Sequence, residues 1–386
     1  MMDESRQASS PCCPPAEGEA LAPCCCGLLP SVEAKAPEWS DALWIEGVVS
    51  TVVGDVPRVS TTLRFADRLG AWKARWGIAR MRYRVEPGLY AVGNPTPDSP
   101  VFVSANYKMS FDRLRSNLGG MDAWILVLDT KGINVWCAAG KGTFGTQEIV
   151  RRIEAVRLSE VVSHRTLIVP QRGGPGVSAH DVRRLSGFRV VYGPLRAEDL
   201  PAFLDAGMKA TREMRSILFP LRDRAALIPV ELVMWAKYVV PVAACFLLLA
   251  GLGTSGYSFS RVLASGIQSA ALFLGAYLAG VILPPILLPW LPGRAFSAKG
   301  MWVGLAFAVA LGVFVWRHPS VFQNLPTAAA WFLMIPAVTS FMAMNFTGAS
   351  TYTSLSGVRR EMRVAVPIQA ITAVVGLGLW LAGRFV

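Results

Sequence analysis

Apolar and polar positions divide this chain of 386 residues at about residue 230. Before that point apolar runs are short and set among charges; after it they are long and nearly uninterrupted. In the first part, Val101-Phe102-Val103, Trp124-Ile125-Leu126-Val127-Leu128, and the runs over 166–169 and 188–192 read as buried strands. Ile149, Val150, Ile153 and Val156 recur at helical spacing behind Gln147-Glu148, which predicts a helix over 146–158. Further helices are expected over 111–118 and 197–216. Strands alternating with helices predict an α/β sheet with helices on its faces. Residues 43–84 mix short apolar runs with Gly, Pro and many Arg, and end in the loop Glu86-Pro87-Gly88. Residues 1–40, rich in Pro, Ala, Glu and Ser, predict a disordered tail. The expected domains are therefore 1–40 (tail), 41–230 (soluble α/β) and 231–386 (transmembrane).

Five apolar spans are expected, over 233–252, 267–291, 301–316, 328–346 and 364–382. A membrane crossing needs roughly 20 residues, so the third is short. Pro284, Pro285 and Pro289 are expected to kink or end the second. Charged side chains sit near the ends of the spans, which favours an anchor over an ion path. Composition agrees with this division. Hydrophobic residues make up 53%, above the roughly 45–50% usual for soluble domains. Residues 1–230 hold 29 Lys/Arg and 24 Asp/Glu, against 9 and 2 in 231–386.

The net charge of +12 does not call for nucleic acid, because no basic run is interleaved with aromatics. Much of the excess falls in short loops. Arg222, Arg224, Arg294, Lys299, Arg359, Arg360 and Arg363 lie on one side of the expected topology, and only Arg261, Arg317 and Arg384 on the other. The positive-inside rule then places the soluble domain in the cytoplasm, with a multi-pass inner-membrane domain. The first residues are acidic and polar, so no secretory signal is expected. Of seven cysteines, Cys12, Cys13, Cys24, Cys25 and Cys26 crowd into the tail, Cys245 lies in a span and Cys137 stands apart. That pattern is no disulfide framework and suits a reducing compartment. As soft thiols, the tail cysteines are candidates to capture a soft metal ion, against the plainer reading of a dispensable solvated tail.

Ligands of α/β sheets sit at the carboxyl ends of strands. Those ends here carry Ser104-Ala105-Asn106-Tyr107, the loop 170–176 rich in Gly and Pro, and Gly193-Pro194. Such loops let backbone approach a flat ligand, or are ordinary turns. After the turn at 129–132, the segment 133–139 permits two structures. Ile133, Val135 and Cys137 alternate as in a strand; equally, Asn134 caps a short helix that Gly140 stops. Gly140, Gly142 and Gly145 match GxGxxG, but Trp136-Cys137 precede them and Glu160 does not clearly end a second strand. As a nucleotide signal this is weak.

The run Asn134-Val135-Trp136-Cys137-Ala138-Ala139-Gly140-Lys141 resembles, without a gap, the signature of the mercury-methylating corrinoid protein family of anaerobic microbes. The layout is similar too, a soluble α/β domain followed by a multi-span membrane domain. That family's soluble domain is similar to corrinoid subunits of the acetyl-CoA pathway, in which a flat cobalt macrocycle lies against a Rossmann-like sheet. The resemblance implies a cobalamin-type corrinoid as cofactor. It also favours the helical form of 133–139, known in the family as a cap helix. It implies that the Cys137 thiolate is the lower axial ligand of cobalt. A soft, electron-rich thiolate suits a polarisable metal and pushes charge toward the opposite ligand, so that the methyl group leaves as a carbanion equivalent for Hg(II). None of His164, His180 and His318 lies in the Asp-x-His-x-x-Gly motif that supplies histidine ligands in common corrinoid domains. By the same resemblance Asn134 and Trp136 orient and shield the cysteine, and Gly140, Gly142 and Thr143 let the corrin approach. Val135, Ala138, Ala139 and Lys141 complete the implied cofactor-binding stretch. On residues alone, Cys137 and Trp136 read as packing and Asn134 as a cap.

Two partners are implied outside this chain. No four cysteines stand at iron–sulfur spacing. Reducing electrons are expected from a ferredoxin with two iron–sulfur clusters, and the methyl group from a methyl-folate-dependent enzyme. Two other functions compete. One is a corrinoid carrier of one-carbon metabolism that does not meet mercury; the other is a membrane-tethered nucleotide sensor built on the GxGxxG. The charge asymmetry makes a direct prediction: reporters fused within 1–230 or at the 294–299 loop read cytoplasmic, and an external 294–299 loop overturns the topology.

Overall fold

A computed structural model describes residues 42–349 and 355–386 of the chain. The tail cysteines Cys12, Cys13, Cys24, Cys25 and Cys26 lie outside the described residues. Seven strands form one mixed sheet: β1 (Ile45–Thr51), β2 (Gly54–Val59), β3 (Gly88–Val92), β4 (Val101–Ala105), β5 (Ala123–Leu128), β6 (Thr166–Val169) and β7 (Arg189–Tyr192). Their order is β1-β2-β3-β5-β4-β6-β7. The last four in that order run parallel, while β3 pairs antiparallel with β5 and β1 with β2.

Helices α1 (Phe65–Arg75), α2 (Lys108–Arg115), α3 (Val135–Lys141), α4 (Thr146–Ala155), α5 (Leu158–Val161), α6 (Ala179–Ser186) and α7 (Leu200–Asp205) surround the sheet. The central strands are buried on both faces, which is why they read as unbroken apolar runs. Val101, Val103, Leu126 and Leu128 face the layer of α3, α4 and α6; Phe102, Ile125 and Val127 face α2 and α7. From β4 the chain moves to β5 on one side, then crosses back over β4 to β6 on the other. The crevice at a topological switch point therefore lies at the carboxyl ends of β4 and β6.

The four expected strands are present, and three others, β1 to β3, were not foreseen. The helix expected over 197–216 is cut short. Only Leu200–Asp205 is α-helical, because Gly207 and Met208 turn left-handed, with φ of 65° and 61°. The helix expected to stop at Gly140 runs on to Lys141 and is closed by Gly142 at φ 79°. The segment 133–139 thus enters a helix rather than a strand.

Among the described residues five helices are long and apolar enough to cross a membrane: Leu221–Leu249, Phe259–Leu287, Phe296–Arg317, Leu325–Phe346 and Gly357–Ala382. The third was expected to be short, yet it begins at Phe296. Its Lys299 is spent on the neighbouring helix end, where Nζ donates to the carbonyls of Leu288 and Leu291 at 2.7 and 2.6 Å. Arg224 donates to the Pro285 and Ile286 carbonyls of the same end. Pro284 and Pro285 lie inside the second span and Pro289 past its end. Both cations satisfy carbonyls that a helix terminus leaves without partners.

Under the sheet, Lys108 and Arg115 of α2 bind Asp67 of α1 and Asp112 at 2.7–2.9 Å, in a closed cluster of two cations and two anions. Arg115 is wholly buried. Burial opposes ionisation of Asp67, but Lys108, the Arg64 backbone N–H and Arg115 together hold its carboxyl below the usual value of 3.8. A carboxyl depressed in the folded state adds stability above its unfolded value and loses it as pH falls through the folded value. Asp67→Asn should cost about 3–5 kcal/mol at neutral pH, because it leaves buried cations short of a partner. It should also remove part of the destabilisation expected below pH 3.8. Thermal unfolding followed by circular dichroism across pH tests both; an unchanged acid limb would contradict the assignment to Asp67.

Candidate functional site

The chain leaves β5 at Leu128 through a tight turn in which Lys131 and Gly132 take positive φ. Asn106, at the end of β4 and only 1% exposed, holds that turn. Its Oδ1 accepts from the backbone N–H groups of Thr130 (3.1 Å) and Gly132 (3.0 Å), and its Nδ2 faces Asp129 Oδ1 at 3.3 Å. The Thr130 hydroxyl lies 2.9 Å from Asn106 Oδ1 and 2.7 Å from the Ile133 carbonyl. Glu148 of α4 accepts from the Asp129 N–H at 2.9 Å. So secured, the turn delivers Asn134 as the N-cap of α3, where its side chain accepts from the Cys137 N–H at 2.9 Å.

One side of α3 faces a cavity of about 1000 Å³, which Asn134, Val135, Trp136 and Cys137 help to line. The floor is the carboxyl ends of β4, β6 and β7, at Ser104, Pro170 and Gly193. The roof is the start of the first span, from Leu227 to Met234, together with Asn345 of the fourth. The long apolar helices thus form part of the cavity wall. Cys137 is a partly exposed free thiol.

The rest of the implied cofactor stretch lies elsewhere. Ala138 and Ala139 are buried against the sheet, Gly140, Lys141 and Gly142 are exposed, and Thr143 is half-buried, all outside the cavity lining. The glycines of the 170–176 loop also serve packing. A Cβ on Gly176 would meet the Phe144 carbonyl at 2.2 Å and Ala139 Cα at 3.0 Å, and one on Gly173 would strike the Phe144 ring at 2.4 Å. They bring this loop onto α3. The GxGxxG run follows a helix and not a strand, so it lacks the strand–turn–helix setting of a dinucleotide fingerprint.

No histidine lines the cavity. His164 bonds the Ser99 carbonyl and the Thr166 N–H at the far ends of the strands. Among the described residues no group of three or more His, Cys, Asp or Glu side chains is placed to hold a metal ion. A metal at Cys137 would have to bring most of its own ligands, as the metal of a macrocycle does. The volume lies at the upper end of small-molecule sites, and the wall combines apolar residues such as Val103 and Ile168 with a few polar groups. Residues and cavity fit a large flat cofactor.

Sequence reasoning missed several lining residues, notably Arg75, Arg80, Arg113, Arg196 and Glu231. Arg172 belongs to the strand-end loop 170–176 that the sequence had offered as a ligand loop, and it lines the cavity. Burial works against its charge, Asp223 favours it and Arg196 adds repulsion.

Residues 78–204, from just before β3 into α7, match the family described as CO dehydrogenase/acetyl-CoA synthase delta subunit. Among curated relatives, the acetyl-CoA decarbonylase/synthase complex subunit gamma of Archaeoglobus fulgidus is 32% identical over 131 residues, which is 33% of this chain and 27% of the relative. The subunit of that name from Methanopyrus kandleri is 33% identical over 123 residues, 31% of this chain and 26% of its own. That from Methanocaldococcus jannaschii is 30% identical over 122 residues, 31% and 25% respectively. The chain spans about a quarter of the length of these relatives. The family match ends before the first span and takes in Asn106, α3 and the cavity floor.

Asn106→Ala should strip the turn of its acceptor. Leaving buried N–H groups unpaired costs about 3 kcal/mol in all. Hydrogen exchange at Thr130 and Gly132 should quicken while the sheet stays protected; unchanged protection there would show that Asn106 does not hold the turn.

Proposed function

We propose that this chain is a membrane-embedded corrinoid methyl carrier whose methyl acceptor is Hg(II). The observation that carries this reading is the placement of Cys137. Among the described residues one soft thiol faces a cavity large enough for a macrocycle, at the switch point of the sheet, with no histidine in the lining. The similarity of residues 78–204 to acetyl-CoA synthase and decarbonylase subunits supports the same class of chemistry. The Hg(II) acceptor rests on the resemblance of the run 134–141 to the mercury-methylating family.

In this reading a bound corrinoid supplies a cobalt centre that carries the methyl group. The chain's own residues do the rest. Cys137 would be the residue that holds the metal, and as a soft donor its sulfur would supply electron density to it. Asn134 fixes the first turn of α3 through the Cys137 N–H, so the sulfur points from a set backbone position. Trp136 and the apolar start of the first span keep water from the ligand. Ala138 and Ala139 seat α3 on the sheet. A two-cluster ferredoxin-like donor and a methyl-folate-dependent enzyme complete the cycle, with the α/β part in the cytoplasm. Arg224 and Lys299, both on cytoplasmic segments in this topology, meet at the same end of the second span.

Cys137→Ala should leave a folded, membrane-inserted protein, because the side chain is only partly buried. Methylmercury formation should fall to background. Cys137→His should keep a ligand atom yet transfer poorly, since a neutral imidazole donates less charge than a thiolate. Cobalt absorbance recorded beside activity separates lost cofactor from lost transfer. Wild-type absorbance with near-normal transfer in Cys137→Ala would refute the ligand role.

A further inference from the structure

The cavity wall carries more positive charge than its own acids neutralise. Five guanidinium groups line it, at Arg75, Arg80, Arg113, Arg172 and Arg196. Arg113 pairs with Glu198, and Arg196 pairs with Asp223 at 2.9 Å. The side chains of Arg75, Arg80 and Arg172 make no ion pair or hydrogen bond among the described residues, and Arg172 Nε is buried without a partner. Glu231, the remaining acid in the lining, is 3% exposed, and its Oε2 is also unpartnered. It is not spent on these arginines. The groups also feel one another: Arg75 and Arg196 both act against the charge of Arg113, and Arg196 against that of Arg172.

Taking a guanidinium out of water without an anion is costly, so Arg172, with its Nε buried and unpartnered beside further unpaired arginines of the same wall, marks a place where an anion completes the wall. We propose that Arg172 forms an oxyanion site that takes the phosphodiester in the nucleotide tail of the bound corrinoid, with Arg75 and Arg80 adding positive potential from the same cavity wall. This rests on the corrinoid reading above. The amide-fringed ring of a corrinoid needs no cationic clamp, but the phosphodiester carries a permanent negative charge. A guanidinium presents donors in a fork that matches two phosphate oxygens. The phosphate of an anionic lipid beside the first span has the same chemistry, and the test separates the two sources.

The full-length protein, purified in detergent and stripped of corrinoid, is titrated by absorbance with cobalamin and with cobinamide, which lacks the phosphodiester and base. Wild type should bind cobalamin about 10- to 100-fold more tightly, the scale of one or two charge-assisted hydrogen bonds. Arg172→Gln and Arg75→Gln should lower that preference toward unity and leave cobinamide affinity unchanged. Equal wild-type affinity for both ligands overturns the site alone, as does a variant that weakens both ligands equally. Failure of both ligands to bind overturns the corrinoid reading and this site with it. In nanodiscs, a lipid source would show as a melting temperature lowered by Arg172→Gln in phosphatidylglycerol but not in phosphatidylcholine, with cobalamin preference intact. That result also overturns the proposal.

Discussion

Asn106 ends β4 in a place where almost no water reaches it, and its carboxamide collects the donors of the turn that follows β5. A buried amide must find partners, and the turn's N–H groups must find acceptors; each is the other's solution. The hydrogen bonds join two parallel strands at their carboxyl ends and set the point from which α3 departs. Everything chemical about α3 depends on that departure. A different turn would rotate the short helix and carry Cys137 away from the cavity. The Glu148 carboxylate reaches the same turn from α4, so the loop is held from two elements.

The sheet beneath is a rigid support because its central strands are enclosed on both faces. The charge cluster of Asp67, Lys108, Asp112 and Arg115 ties α1 to α2 on one of them. Such a cluster is worth little as net stability, since its desolvation is expensive. Its geometry, however, admits one arrangement of the two helices. Arg75 closes α1 and Tyr107 precedes α2, so the cluster also sets one wall of the cavity.

The membrane helices meet this support through a junction that is both polar and aromatic. Arg196, just after β7, binds Asp223 at the start of the first span at 2.9 Å, and Phe219, just before that span, stacks on Phe346 of the fourth at 6.1 Å. Among the spans, glycines permit close approach. A Cβ on Gly280, Gly300 or Gly304 would come within 2.1–2.7 Å of atoms of the fourth span or its neighbours' contacts with it. Small residues at such crossings are how helices pack where no hydrophobic drive separates helix from lipid. The first span can then serve as the cavity's roof, because its position is shared with the rest of the bundle.

Patterns confined to a short stretch of chain were legible. Strands β4 to β7 and the five long apolar helices announce themselves, because burial on all sides demands uninterrupted apolar runs. The run 134–141 marked the segment that holds Cys137. Strand β1 alternates half-buried and exposed positions, and β2 carries Asp55, Pro57 and Arg58. Their pairing partners make them strands, and no local run of apolar residues does. The choice between strand and helix at 133–139 was likewise open until Asn106, 28 residues before Asn134, fixed the turn. Composition showed an excess of arginine but not that five would meet in one cavity, nor that Glu231 of the first span would stand with them. Those groups come from separate elements, brought together only by the crossing of the chain over β4 and the docking of the spans. Local sequence records burial and propensity, whereas the neighbours of a side chain across a cavity are decided by tertiary packing.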